Sequence, residues 1–162
     1  MPGATDQLEP LSFCGLHCGT CFIRNGQVAD HATDLLAELR AMRFEAWGPQ
    51  LAELNQKEFG AFRHARPTLE VLAAWNGMRC EKSCRRGGGS ADCKIRECCK
   101  TNQRSGCWEC ERAEGCETLG ALKPVNGRLN LDNIRRIKVV GVSAFLAECA
   151  RQKGLTFYVD PE

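Results

Sequence analysis

The chain has 162 residues, 43% of them hydrophobic, enough for one modest domain with a metal module attached. Its 22 Lys and Arg stand against 20 Asp and Glu, so a formal charge of +2 gives no whole-chain pull towards nucleic acid or an anionic membrane. Met1 to Leu11 has no basic run followed by an apolar run, and no stretch approaches the ~18 apolar residues that cross a bilayer. A cytoplasmic protein with reduced thiols and no membrane contact is expected.

Twelve cysteines in such a compartment need a reason. A disulfide framework belongs to secreted and usually shorter chains. Metal ligation is the stronger reading, because the cysteines recur at short, ligand-like intervals.

A single domain is expected, mainly α with irregular Cys-rich knuckles and little or no β. Its first part, 12–29, is a cluster with the spacing Cys14-x3-Cys18-x2-Cys21. A helical segment follows over 30–77. Leu35, Leu39, Met42 and Ala46 recur at helical spacing, widened by Leu36 and Trp47. Asp30 or Thr33 is the expected cap and Gly48-Pro49 the expected stop. A second helix is predicted over Gln50 to His64, with Leu51, Leu54, Phe59 and Phe62 inward. A third is predicted over Pro67 to Trp75, with Gly77 as its end.

The part from 78 to 118 is a different material. It holds eight cysteines, Gly87-Gly88-Gly89 and few large apolar residues. Such a segment is expected to need metal crosslinks to order itself, so that binding energy becomes folding energy. The last part, 119–162, returns to helices that pack on the same domain. Asn130 or Asp132 is expected to cap one carrying Leu131, Ile134 and Ile137. After Gly141, Ser143 is expected to cap another carrying Phe145, Leu146 and Cys149. Gly154 would end it, and Leu155 to Val159 reads as a short strand or an extended tail.

Cys80-x3-Cys84 followed by Cys93-x4-Cys98 offers four thiolates to one tetrahedral Zn²⁺. Cys107-x2-Cys110 with Cys116 offers three more. Cys14, Cys18 and Cys21 are also one ligand short, and Cys107, Cys110 or Cys116 could lend the fourth. These ten cysteines are the candidate ligands, for two or three zinc ions or, alternatively, a [4Fe–4S] cluster. The first cluster has the spacing of radical S-adenosylmethionine enzymes, but the chain is too short for their barrel. His17 reads as a neighbour of the site or a solvent-facing side chain, and His31 and His64 as isolated. Cys149 reads as a packed thiol, and Cys99 as a poor ligand beside Cys98.

These residues carry a resemblance. C-G-L-H-C-G-T-C at 14–21 comes first, then Cys93-Lys94-Ile95-Arg96-Glu97-Cys98. Cys107-Trp108-Glu109-Cys110 follows, with Cys116, Glu117 and Leu119. Ile134-Arg135-Arg136-Ile137, Gly141 and Phe145-Leu146 close the series. In this order the chain resembles the Cys-rich family known as domain of unknown function 3795, from Phe13 to about Glu148. It departs in the wider Cys80-x3-Cys84 pair and the additional Cys99. The resemblance implies metal binding, by zinc or iron–sulfur, and supplies no substrate.

Three functions compete. The first is a non-catalytic zinc protein serving an unidentified protein partner as an interaction or accessory module. The second is an iron–sulfur redox protein or small metalloenzyme using Cys14, Cys18 and Cys21. No Ser-His-Asp signature, phosphate-binding glycine loop or paired catalytic carboxylates support it beyond the cysteines. The third is a zinc-dependent nucleic-acid binder. From Arg79 to Arg104 eight basic residues face three acidic ones. Four thiolates around one Zn²⁺ carry a net charge of about −2, which removes part of that surplus. Only Trp108 stands near it for base stacking.

Overall fold

A computed structural model describes residues 8–152. The fold is mainly α. Among the described residues there is no sheet, only an isolated antiparallel bridge between Leu11 and His17. In chain order the helices are α1 (Phe22–Asn25), α2 (Gln27–Ala41), α3 (Phe44–Leu54), α4 (Gln56–Phe59) and α5 (Ala65–Gly77). They continue with α6 (Lys94–Thr101), α7 (Glu117–Gly120), α8 (Lys123–Asn126), α9 (Leu129–Val140) and α10 (Val142–Arg151). No helix among the described residues is long and apolar enough to cross a membrane. The reading of Gly154 and of Leu155 to Val159 lies outside the described residues.

The chain divides into two compact units: Gly26–Arg79, and the two flanking stretches taken together. All twelve cysteines fall in the flanking unit.

In the Gly26–Arg79 unit, α2 packs against α5, and α3 against the 3-10 turn Gly60–His64. Ala29, Ala32 and Leu36 are buried on α2, and the two alanines let the helix approach closely. The inward stripe is therefore centred on Leu36. Leu35 and Met42, expected inside, are about half exposed, and Ala46 is also outside. Gly26 precedes α2 as its cap. Asp30 instead lies in the first turn, paired with Arg79, and Thr33 donates to the Ala29 carbonyl.

The expected stop at Gly48-Pro49 is overturned, since α3 runs through both. The break comes earlier, where Arg43 takes a left-handed φ of 55°. Gly48 is needed for contact rather than termination. A Cβ there would lie 2.8 Å from the Phe44 ring. That ring meets Trp47 and Phe62 edge-on, at 5.2 and 5.1 Å. The helix predicted over Gln50 to His64 is likewise divided. Asn55 ends α3 and caps α4, accepting from the Glu58 N–H, and this leaves Leu54 84% exposed.

In the cysteine unit, Ile134, Ile137 and Phe145 from α9 and α10 meet Leu11, Phe13, Ile95, Cys99, Trp108 and Leu119. The segment 78–118 thus contributes Ile95, Cys99, Trp108 and Ala113 to an apolar core. Its large apolar residues are few, but short helices and 3-10 turns aim them one way. Asn130, expected to cap α9, lies inside it, where its amide donates to the Cys14 carbonyl at 2.9 Å. Asn133 holds the Gly15 carbonyl at the same distance. Gly141 precedes α10, so Ser143 is not its cap.

Candidate metal centre

Backbone bonds bring the cysteine-bearing segments together. The Cys107 N–H donates to the Phe13 carbonyl at 2.8 Å, and the Cys80 N–H to the Ile23 carbonyl at 3.2 Å. Arg24 reaches the carbonyls of Cys80 and Glu81 at 2.8 and 3.0 Å. The first cluster is therefore tied to both later groups.

Nine of the ten candidate ligands are half-buried: Cys14, Cys18, Cys21, Cys80, Cys84, Cys93, Cys107, Cys110 and Cys116. Cys98 is exposed, and its sulfur lies 3.8 Å from the Asn102 amide nitrogen. Buried Cys99 turns inward instead, with its Sγ 3.9 Å from that of Cys107. Helical spacing explains the exchange, because Cys99 stands four residues after buried Ile95 on one face of α6. The same signal was present in the sequence.

The thiols lie within electrostatic reach of one another across these segments. Burial pushes the Cys14 thiol up to about 11, against hydrogen bonds from Ser12 and Leu16, and Cys84 and Cys93 push it the same way. Burial also raises Cys18; the Cys84 backbone N–H opposes this, while Cys21, Cys84 and Cys80 add to it. Cys107 is raised by its hydrogen bond to Cys99, by burial, and by Cys99, Cys14 and Cys116. So Cys18 has thiols of the first and second groups around it, and Cys107 has Cys14 and Cys116.

Gathered is not converged. Among the described residues, no three His, Cys, Asp or Glu side chains stand close enough together to hold one metal ion. The donor chemistry nevertheless suits a thiophilic metal, because the neighbours of Cys14, Cys18 and Cys107 include further thiols. His17 adds an orphaned atom, since its Nδ1 is buried without a hydrogen-bond partner and burial lowers its pKa. It is neither fully solvent-facing nor satisfied by a neighbour.

Two arginines complete the surroundings: Arg85 belongs to the basic run from Arg79 to Arg104, and Arg96 both to that run and to the Cys93–Cys98 motif. Arg85 donates to the carbonyls of Leu8, Leu11 and Ser105 at 2.7–2.8 Å. Its guanidinium lies over the Phe13 ring at 4.6 Å from the centroid and within 5.7 Å of that of Trp108. Burial lowers its pKa, while Cys84, Cys99, Cys18 and Glu109 oppose the shift. Arg96, only 8% exposed, donates to the carbonyls of Gly88, Ser90 and Ala91 at 2.6–2.8 Å and to Cys84 at 3.5 Å. It clamps the triple-glycine loop around itself.

These bonds dismantle the basic patch. Of its eight members, Arg79, Arg86 and Lys94 pair with Asp30, Glu9 and Glu97. Arg85 and Arg96 are spent on carbonyls, and Arg104 donates to the Cys110 sulfur at 3.4 Å. Six of the eight thus have partners within the protein, three of them in exposed ion pairs.

No curated protein and no solved structure matches the chain. The family model described as "Protein of unknown function (DUF3795)" matches residues 10–121. That range takes in all ten candidate ligands, the Arg96 clamp and the inward Cys99, and the chain belongs to this family.

Proposed function

We propose that this is a metal-binding protein whose cysteine unit holds thiolate-ligated metal, zinc before iron–sulfur, as a structural element. The observation that carries the reading is the confinement of all twelve cysteines to one unit, with thiols from separate segments facing one another. Arg85 supports it. A guanidinium beside several thiols, with backbone carbonyls as its hydrogen-bond acceptors, suits a site that becomes anionic when the thiols lose their protons to metal. Metal would supply crosslinks between segments; the chain's own residues position the sulfurs and offset their charge. The metal-bearing unit would then serve as an interaction or accessory module for a protein partner inside the cell. The engaged arginines make nucleic acid the weaker reading.

Elemental analysis of anaerobically purified protein, with its absorption spectrum, tests this. Stoichiometric zinc in a colourless protein is expected. Iron with inorganic sulfide and a visible band would replace zinc by a cluster. Substoichiometric metal of every kind would end the metal reading.

A further inference from the structure

A cavity of about 270 Å³ opens on the cysteine unit, between α7–α8 and the first turns of α9. Leu119 and Leu131 supply apolar wall, and Lys123, Arg128 and Arg135 supply three cations. Glu114, the acid in the lining, is already bound by Arg135, which also holds Asp132. Lys123 and Arg128 are different, because among the described residues neither has an ion-pair partner. The cavity thus presents two cations that form no ion pair among the described residues.

Asn130 adds selectivity. It lines the same cavity, is only 3% exposed, and its Nδ2 is committed to the Cys14 carbonyl. Its Oδ1 is buried without a partner. A buried carbonyl oxygen left unpaired is costly, and a ligand hydroxyl would recover that cost.

We propose that this cavity binds a small oxyanion of the phosphate class, with Lys123 and Arg128 holding the charged oxygens and Asn130 Oδ1 accepting from a ligand hydroxyl. The volume fits a small molecule rather than a polymer, being just below the usual range of about 300–1,000 Å³ for drug-sized ligands. The site goes beyond the metal reading. Its cations and its amide belong to α8, α9 and the turn between them, while Cys116, a candidate metal ligand, lines the same cavity, so binding is measured on protein that retains its metal.

Titration of the full-length protein, followed by backbone amide shifts, decides the matter with inorganic phosphate and sulfate as probes. The two are alike in shape, but only hydrogen phosphate carries a hydroxyl at neutral pH. Saturable shifts at Gly127, Asn130 and Leu131 are expected, with phosphate bound severalfold more tightly than sulfate. Arg128→Gln and Lys123→Gln, both at exposed positions outside the core, should each weaken phosphate about tenfold. Lys100→Gln, outside the cavity, should leave the affinity unchanged. Shifts that do not saturate, or an affinity untouched in both cavity variants, would overturn the site. Equal affinity for sulfate would overturn the role given to Asn130.

Discussion

The sulfur of Cys99 stands 3.9 Å from that of Cys107, across the turn that separates α6 from the 3-10 turn Cys107–Glu109. Cys99 is 2% exposed, whereas the adjacent Cys98 is on the surface. Replacing the buried thiol by a hydroxyl should therefore cost about 1–3 kcal/mol in the metal-free protein, and Cys98→Ser there under roughly 0.5 kcal/mol. Denaturant unfolding of the two variants measures this. A larger loss for Cys98→Ser would show that the exposed thiol is the one carrying a bond.

Arg96 should be irreplaceable by lysine. Its two terminal nitrogens reach four carbonyls of the Cys84 to Ala91 loop, a fork that one ammonium cannot reproduce. Arg96→Lys is expected to destabilise by about 2 kcal/mol or more, with faster proteolysis between Lys82 and Lys94. Unchanged cleavage in that loop would contradict the clamp.

Gly88 is the tightest position in the same loop. A Cβ there would lie 1.7 Å from the Lys82 carbonyl oxygen, a backbone atom that cannot swing away. Gly88→Ala should cost about 3 kcal/mol or more, whereas a Cβ at Gly115 meets nothing within 4 Å and Gly115→Ala should be tolerated. Thermal melts of the two variants give the comparison, and equal midpoints would refute it.

Metal removal should act on one unit alone. The Gly26–Arg79 unit has no cysteine and its own apolar contacts, among them the Phe44, Trp47 and Phe62 cluster. A chelator is expected to raise amide exchange over residues 80–120 while α2 and α5 keep their protection. Equal loss in both units, or none in the cysteine unit, would go against structural metal.

The helical character and the approximate helix positions were legible because apolar periodicity is local. Helix boundaries were less so. Gly48-Pro49 carries the usual stop signal, yet Gly48 serves the Phe44 ring and the real break falls at Arg43, a residue with no such signature. In the site, cysteine spacing marked the candidate residues but not their neighbours. That Cys18 lies within electrostatic reach of Cys80 and Cys84 follows from backbone bonds such as Cys80 to Ile23, which join residues far apart in sequence. The burial of Arg85 and Arg96 was hidden for the same reason, since their acceptors are carbonyls, and every residue has one.

X-ray absorption at the metal edge of the purified protein probes thiolate-held metal most directly. The expected spectrum shows about four sulfur neighbours at roughly 2.3 Å for zinc, with at most one nitrogen near 2.0 Å if His17 takes part. A first shell made of oxygen and nitrogen alone would contradict a cysteine-held metal.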